Sequence, residues 1–395
     1  GKGAATGKPR ITVRNEVGAQ NLQRYIETPK AHFFQLASDW EQFQGKFTKY
    51  AGVTYPANYA GGYTPATASQ PGGDVPGAII TGTPVADADQ YMDNPYGVYR
   101  HTPDNVFQTG MSSVNYVAVE NRSDKNNIFI SFENNRQEGV VPGRDGYSRQ
   151  NFRFNLDQEL TSWLRLSATN VFINRYVQPT ANIFYNVARI KPDVDLFAKN
   201  PDGSDYNRVP DIWNNEMQNP LYDTYNTKQS NHSRKWMGNY TANIEFTSWA
   251  NLDLSQTFEI ENYRSRTSTP KKYLSRNYTY TNGSLTEFSS ERSTANTQVT
   301  LNLNKKFGDL VTRGKLSYLF EDRDYEWFDV SASVFGINRI ETFGNITDPT
   351  VTRGRNYSET ERAQNYFAIV GLDYKDRYLF DGMYRYDGSS LFGPD

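Results

Sequence analysis

The sequence has 395 residues, with 42 Lys plus Arg against 44 Asp plus Glu and a formal net charge of -2. That balance offers no electrostatic pull on nucleic acid. The absence of cysteine excludes disulfide scaffolds, thiolate zinc sites and Cys nucleophiles, and no apolar run approaches the roughly 18 residues of a membrane-spanning helix. What remains unusual is 28 Tyr, 23 Phe and 6 Trp in a chain of mean hydropathy -0.75. A polar chain this rich in aromatics is too structured for disorder, and it suggests sheet with exposed or lipid-facing rings.

Gly1 to Arg10 is basic and lacks the apolar core of a signal peptide. It also fails as a phosphate loop, because its glycines are misspaced and Pro9 follows Lys8 where Ser or Thr is required. It reads as linker. Beyond it the dominant signal is period 2, the mark of strands with one apolar and one polar face. Phe152, Phe154 and Leu156 alternate with Arg153, Asn155 and Asp157; Tyr240, Ala242, Ile244 and Phe246 alternate with Asn239, Thr241, Asn243 and Glu245. Leu252, Leu254, Phe258 and Ile260 oppose Asp253, Ser255, Thr257 and Glu259, and Val299, Leu301 and Leu303 oppose Thr300, Asn302 and Asn304. About 11 strands are predicted: near 10–20, 113–120, 127–138, 149–157, 163–176, 235–246, 250–264, 292–304, 311–325, 361–373 and 376–387.

Short turns and long polar connections (21–112, 139–148, 177–234, 265–291 and 326–360) alternate along the whole chain. Tight turns at one end and long loops at the other are the layout of an outer-membrane barrel, and long structureless loops argue against a compact soluble domain. Thr28 to Tyr50 predicts an amphipathic helix, with Phe33, Leu36, Trp40 and Phe43 at three- and four-residue intervals. Gly52 to Asp89 predicts loop, and Ala181 to Phe197 a short helix before a Pro201-Asp202-Gly203 turn. The triplet Thr-Ser-Trp recurs at 161–163 and 247–249, both times where a strand re-enters after a tight turn. Trp163 and Trp249 therefore suit a girdle at the membrane–water boundary.

No catalytic constellation is legible. His32, His101 and His232 are far apart and lack metal-ligand spacing, while the acids Asp193, Asp195, Glu321, Asp322 and Asp324 have no complementary base. No enzyme, metal or cofactor is expected. Better candidates for binding are the loop aromatics Trp213, Tyr222, Tyr225 and Trp327, whose rings beside Asn and Asp suit sugar faces or peptide side chains. Asn243, Glu245, Asp253 and Glu259 would line a lumen, with Ile244, Phe246, Leu252 and Leu254 facing lipid; arginine at Ile244 should then cost more than at Asn243.

Three stretches resemble the SusC/RagA-like TonB-dependent transporters of Bacteroidetes outer membranes. Gly7-Lys8-Pro9-Arg10-Ile11-Thr12-Val13 is similar to that family's entry into its first barrel strand. Ser123-Asp124-Lys125 with Phe129-Ile130-Ser131-Phe132 and Gln137-Glu138-Gly139-Val140-Val141 is similar to its early hairpin. Tyr374-Lys375-Asp376-Arg377-Tyr378-Leu379 with Arg385-Tyr386-Asp387-Gly388-Ser389-Ser390-Leu391-Phe392-Gly393 resembles its mid-barrel hairpin.

The resemblance implies that residues 1–395 form a single portion of a 22-stranded barrel, within a longer protein carrying a plug. It further implies import of an oligosaccharide or peptide, a SusD-like surface lipoprotein above the barrel, TonB acting through the plug, and a dimeric complex. The residues alone leave one rival open, a secreted soluble β-rich glycan-binding or adhesive protein.

Overall fold

The computed structural model describes residues 7–23, 101–179, 215–273 and 280–393 without interruption, together with short stretches within 27–95 and 183–211. One antiparallel sheet of eleven strands dominates, every strand pairing with its neighbours in chain order. Its members are β1 (Arg10–Gln20), β2 (Gly110–Arg122), β3 (Asn126–Gln137), β4 (Tyr147–Thr161), β5 (Leu164–Val177), β6 (Lys228–Thr247), β7 (Ala250–Thr269), β8 (Ser284–Phe307), β9 (Leu310–Ser333), β10 (Arg353–Tyr374) and β11 (Tyr378–Ser389).

The tight turns all lie at one end, so their chemistry fixes the register of each hairpin. Gly308 supplies the left-handed residue between β8 and β9, and Lys375 with Asp376 does so between β10 and β11. The Asp373 carboxylate accepts from the Asp376 amide at 3.1 Å, which stabilises that second turn locally. At the turns after β4 and β6 the pairing shifts by one residue, between Glu159 and Thr161 and between Glu245 and Thr247. These bulges set Trp163 and Trp249 as exposed rings at the same end of the sheet.

The strands are longer than the sequence suggests. β6 begins at Lys228 rather than 235, β7 runs to Thr269 rather than 264, β8 begins at Ser284 rather than 292, β9 continues to Ser333 rather than 325, and β10 begins at Arg353 rather than 361. The connections predicted at 177–234, 265–291 and 326–360 shrink accordingly. Apolar alternation needs a different solvent on each face, and the outer segments do not keep polar and apolar residues to separate faces (Trp327 and Phe328 are neighbours on opposite sides), so period 2 disappears although the ladder continues. The predicted helix over 28–50 is corrected at both ends: Ala31–His32 pairs with Asn94–Pro95, Phe34–Gln35 with Val85–Ala86, and Phe47–Tyr50 with Val53–Pro56. Its central residues 36–46 lie outside the described residues. The helix predicted over 181–197 is present but short.

The long connections build a small core of their own above the sheet. Helices α1 (Thr102–Val106), α2 (Phe184–Arg189) and α3 (Pro220–Asn226) bring together Val106, Val141, Ile183, Val187, Ile190, Leu196 and Leu221. α3 starts where Asn219 accepts from the Leu221 amide at 2.9 Å with Pro220 in the first turn. The Asn219 amide also donates to the Leu196 carbonyl at 3.1 Å, tying the helix to the preceding loop.

The connection after β9 is latched differently. Phe335 is fully buried and occupies the space beside Gly283, where a Cβ would stand 2.3 Å from its ring and φ is +83°. Glu341, also buried, accepts at 3.0 Å from both Lys228 Nζ and Ser268 Oγ, and Arg266 donates to its main-chain oxygen. Glu341→Ala leaves the Ser268 hydroxyl buried without that partner, at a cost of about 1–3 kcal/mol. Amide hydrogen exchange is expected to accelerate across 334–352 while the lower strands keep their protection; unchanged exchange there would remove the latch.

Candidate functional site

The register sorts the sheet into two faces. Along one run the paired rows Phe132–Phe152–Phe172–Trp236–Ile260 and Leu166–Ala242–Leu254–Val299–Tyr318–Tyr366–Tyr386. Phe132, Phe152, Phe172, Trp236, Tyr240, Leu316, Tyr366 and Tyr384 are all exposed on it. An apolar surface of this extent is far larger than soluble monomers carry. Polar groups within it are internally satisfied: Asn170 Oδ1 accepts from Tyr240 OH at 2.7 Å and Trp236 Nε1 at 3.3 Å, and Gln256 Oε1 accepts from Thr297 Oγ1 at 2.5 Å. Phe258 lies across Gly238, flanked by Trp236 at 4.6 Å and Tyr240 at 5.8 Å between centroids.

The opposite face is largely polar near the turns. There Asp253 accepts from Asn243 at 2.5 Å and Asn302 at 2.6 Å, and Thr300 and Ser317 share a hydrogen bond of 2.8 Å. Toward β1, Glu133 holds Arg149 at 2.7 Å, with Arg14 3.7 Å from the same carboxylate. A concavity of about 390 Å³ lies beside this group, lined by Arg10, Thr12, Tyr116, Asn127, Arg153 and Asn155. The side-chain oxygens of Asn127 and Asn155 in its lining, and of Asn135 and Asn151 elsewhere on the same face, are buried without a protein donor, leaving acceptors for a polar solute or water.

Higher on the same face, four aromatic rings on adjacent strands form a row: Tyr263 of β7, Phe288 of β8, Trp327 of β9 and Tyr357 of β10. Successive centroids are 6.1, 6.0 and 6.3 Å apart. The pairing Ser290↔Trp327↔Tyr357 fixes the row across the sheet. Charges beside it are matched, Arg355 with Asp329 at 2.6 Å and Arg323 with Glu361 at 3.5 Å, while Arg292 lies over the Tyr325 ring at 5.1 Å.

Trp327 thus lies within a strand rather than in a loop, because β9 continues past the point where its alternation fades. Tyr222 is buried in α3 with its ring 5.1 Å from Tyr273, as part of the loop packing. Tyr225 lies over Gly143, and burial pushes its phenol above the ordinary range. Burial likewise pulls the neighbouring Arg144 guanidinium down, opposed by the Asp223 carboxylate. Trp213 lies outside the described residues, as does Asp193. The structure does not bring the loop tyrosines to the Trp327 row. Glu321 and Asp322, adjacent in sequence, point to opposite faces; Glu321 accepts from Asn365 at 2.9 Å and Asp322 pairs with Arg362 at 3.1 Å. Among the described residues no group of three His, Asp or Glu converges as a metal site.

No protein-family model matches the chain. It is 33% identical over 95 residues to the TonB-dependent receptor P39 of Formosa agariphila, a match covering 24% of this chain and 9% of that receptor. Solved structures of the RagAB peptide importer superpose on nearly all of it. The closed-closed state gives a TM-score of 0.68 over 98% of this chain at 14% identity, and the open-open state also gives 0.68 over 98%. The fold is that of an outer-membrane β-barrel transporter.

The chain spans about two-fifths of the length of the importer chains it matches, 43% and 42%. The exposed apolar face is the one that the alternation expects to meet lipid, and the largely polar face the one expected to line a lumen. β6 takes twelve residues, one of them the extra residue of its bulge, to run from Thr247 at its turn to Trp236, the last ring of its apolar belt, against about 9–11 for a tilted strand crossing a bilayer. The strands of 24 residues, β8 and β9, therefore rise well beyond the membrane on the loop side, and they carry the aromatic row with them.

Proposed function

We propose that the chain forms part of the wall and outer surface of an energy-coupled importer that carries an oligosaccharide or peptide across the outer membrane. The observation that carries this reading is the Tyr263–Phe288–Trp327–Tyr357 row, an apolar ledge on an otherwise hydrophilic lumen wall, placed above the bilayer where a solute enters. Tyr357 is exposed and the other three rings are half-buried; stacking on their open faces selects sugar faces or apolar side chains, while the flanking ion pairs and amides accept hydroxyl or peptide donors. Trp163 and Trp249 anchor the periplasmic boundary of the belt in this reading, and Lys305 beside the Trp249 ring at 4.5 Å keeps that rim polar. A SusD-like lipoprotein would meet the packed loops from outside, and TonB would supply energy from the periplasm.

The test is uptake of labelled oligosaccharides and oligopeptides by cells with and without the intact transporter, before and after collapse of the proton-motive force. Uptake lost in both cases is expected. Uptake indifferent to the proton-motive force would indicate a passive pore, and recovery of the protein in the secreted soluble fraction would overturn the reading altogether.

A further inference from the structure

The lipid-facing side carries a feature that cargo transport does not use. Just beyond the last aromatic row of the belt, β6 and β7 present Arg234 and Arg264 outward, both exposed. Arg234 is two residues past Trp236, and Arg264 pairs across the ladder with His232. Among the described residues neither guanidinium has a carboxylate within ion-pair distance. Glu291, which faces Asn262 from β8, forms no ion pair with either, and the neighbouring Arg266 is already held by Glu287 at 2.8 Å. His232 is engaged by Asn174 at 2.6 Å. Two free cations thus sit on the outside of the barrel, at the level where headgroups begin.

Directly below them, on the same strands, the belt is indented. A concavity of about 460 Å³ opens where Ala168 and Ala242 replace larger residues between Leu166, Tyr240 and Leu254. From Arg234 to Tyr240 is six residues along β6, about 20 Å of strand. At a tilt of about 40° this descends about 15 Å, half of a hydrocarbon core about 30 Å thick. The two features are therefore separated by the depth of one leaflet.

We propose that Arg234, Arg264 and the Ala168–Ala242 concavity form a binding site for one anionic, phosphate-bearing lipid of the outer leaflet. The two guanidinium groups take its headgroup phosphate in charge-assisted hydrogen bonds. An acyl chain descends past Trp236 and Phe258 and ends in the concavity. A free phosphate ion would use the cations alone, whereas a lipid uses both parts. The site rests on the outer-membrane placement of the barrel and not on its cargo, so failure of the uptake assay would leave it standing.

The experiment is native mass spectrometry of the full-length transporter, delipidated in detergent and titrated with phosphatidylglycerol or phosphatidylcholine. Phosphatidylglycerol adducts are expected to exceed phosphatidylcholine adducts, and Arg234→Gln or Arg264→Gln should each lower them about fivefold. Arg234→Lys with Arg264→Lys should retain most of the binding, so the test does not depend on the glutamine variants folding. Ala242→Leu, which fills the concavity, should weaken both lipids without removing the headgroup preference. Equal adducts of the two lipids on the wild type, no loss in folded glutamine variants, or full displacement of lipid by millimolar inorganic phosphate would each overturn the proposal.

Discussion

Arginine at Leu254 is expected to destabilise the barrel in bilayers by about 2–4 kcal/mol, whereas arginine at the adjacent Ser255 should cost much less. Leu254 belongs to the row Leu166–Ala242–Leu254–Val299 on the lipid face, and Ser255 points into the lumen between Thr241 and Gln298. Both lie close to mid-belt, four and five residues from the turn at Ala250, with the apolar run ending at Ile260. Depth is therefore matched, and only the solvent differs. Ile244 and Asn243 straddle the same two faces but sit nearer the turn, where the cost of a lipid-facing charge falls toward about 0–1 kcal/mol. Urea titration of the intact transporter folded into liposomes reads the difference. Equal losses at 254 and 255 would mean that both faces meet the same solvent, and the barrel assignment would fail.

The parts of this fold that can be read from the chain are those where two solvents meet. Phe152 against Arg153, or Leu252 against Asp253, alternate because lipid and water lie on opposite sides, and this yields the strand number, the order and the turn end directly. Above the bilayer the information vanishes. Asp324, Tyr325, Glu326, Trp327, Phe328 and Asp329 form an unbroken strand, yet both of its faces are wet and neither selects apolar residues. That is why Trp327 reads as loop.

The aromatic row is harder still, since its members are remote in sequence and only register joins them. A signal for part of it does exist: Phe307↔Leu310 is fixed by the tight turn between β8 and β9. Counting outward from it places Trp327 opposite Ser290, with Phe288 one pair away, whereas Tyr357 joins through the β9–β10 register, which closes over the long connection 334–352 and no tight turn fixes. Tyr222 escapes the same reasoning, because its burial depends on loops packing together through Val187 and Leu221, contacts that no periodicity announces.

Trp327→Ala is expected to raise the half-saturating cargo concentration by about tenfold or more, which corresponds to at least about 1.4 kcal/mol of lost binding. The indole is the ring that joins Phe288 to Tyr357, so its removal divides the ledge into two separated pieces. A purely architectural row would behave differently. Cross-strand aromatic pairs contribute about 0.5–1.5 kcal/mol each, and losing two of them would loosen β9 without affecting uptake. Trp327→Phe distinguishes the cases, since it keeps a ring in the ladder while shortening the exposed surface. If stacking on cargo matters, Phe should fall between Trp and Ala in uptake while holding stability near the wild type. If the row only braces the strands, all three should import alike once folded, and hydrogen exchange in β9 alone should report the change. The outcome also bears on the charges alongside: Arg355 and Asp329 already satisfy one another, so a neutral cargo can lie on the ledge without separating them, whereas a charged one must compete with a bond of 2.6 Å.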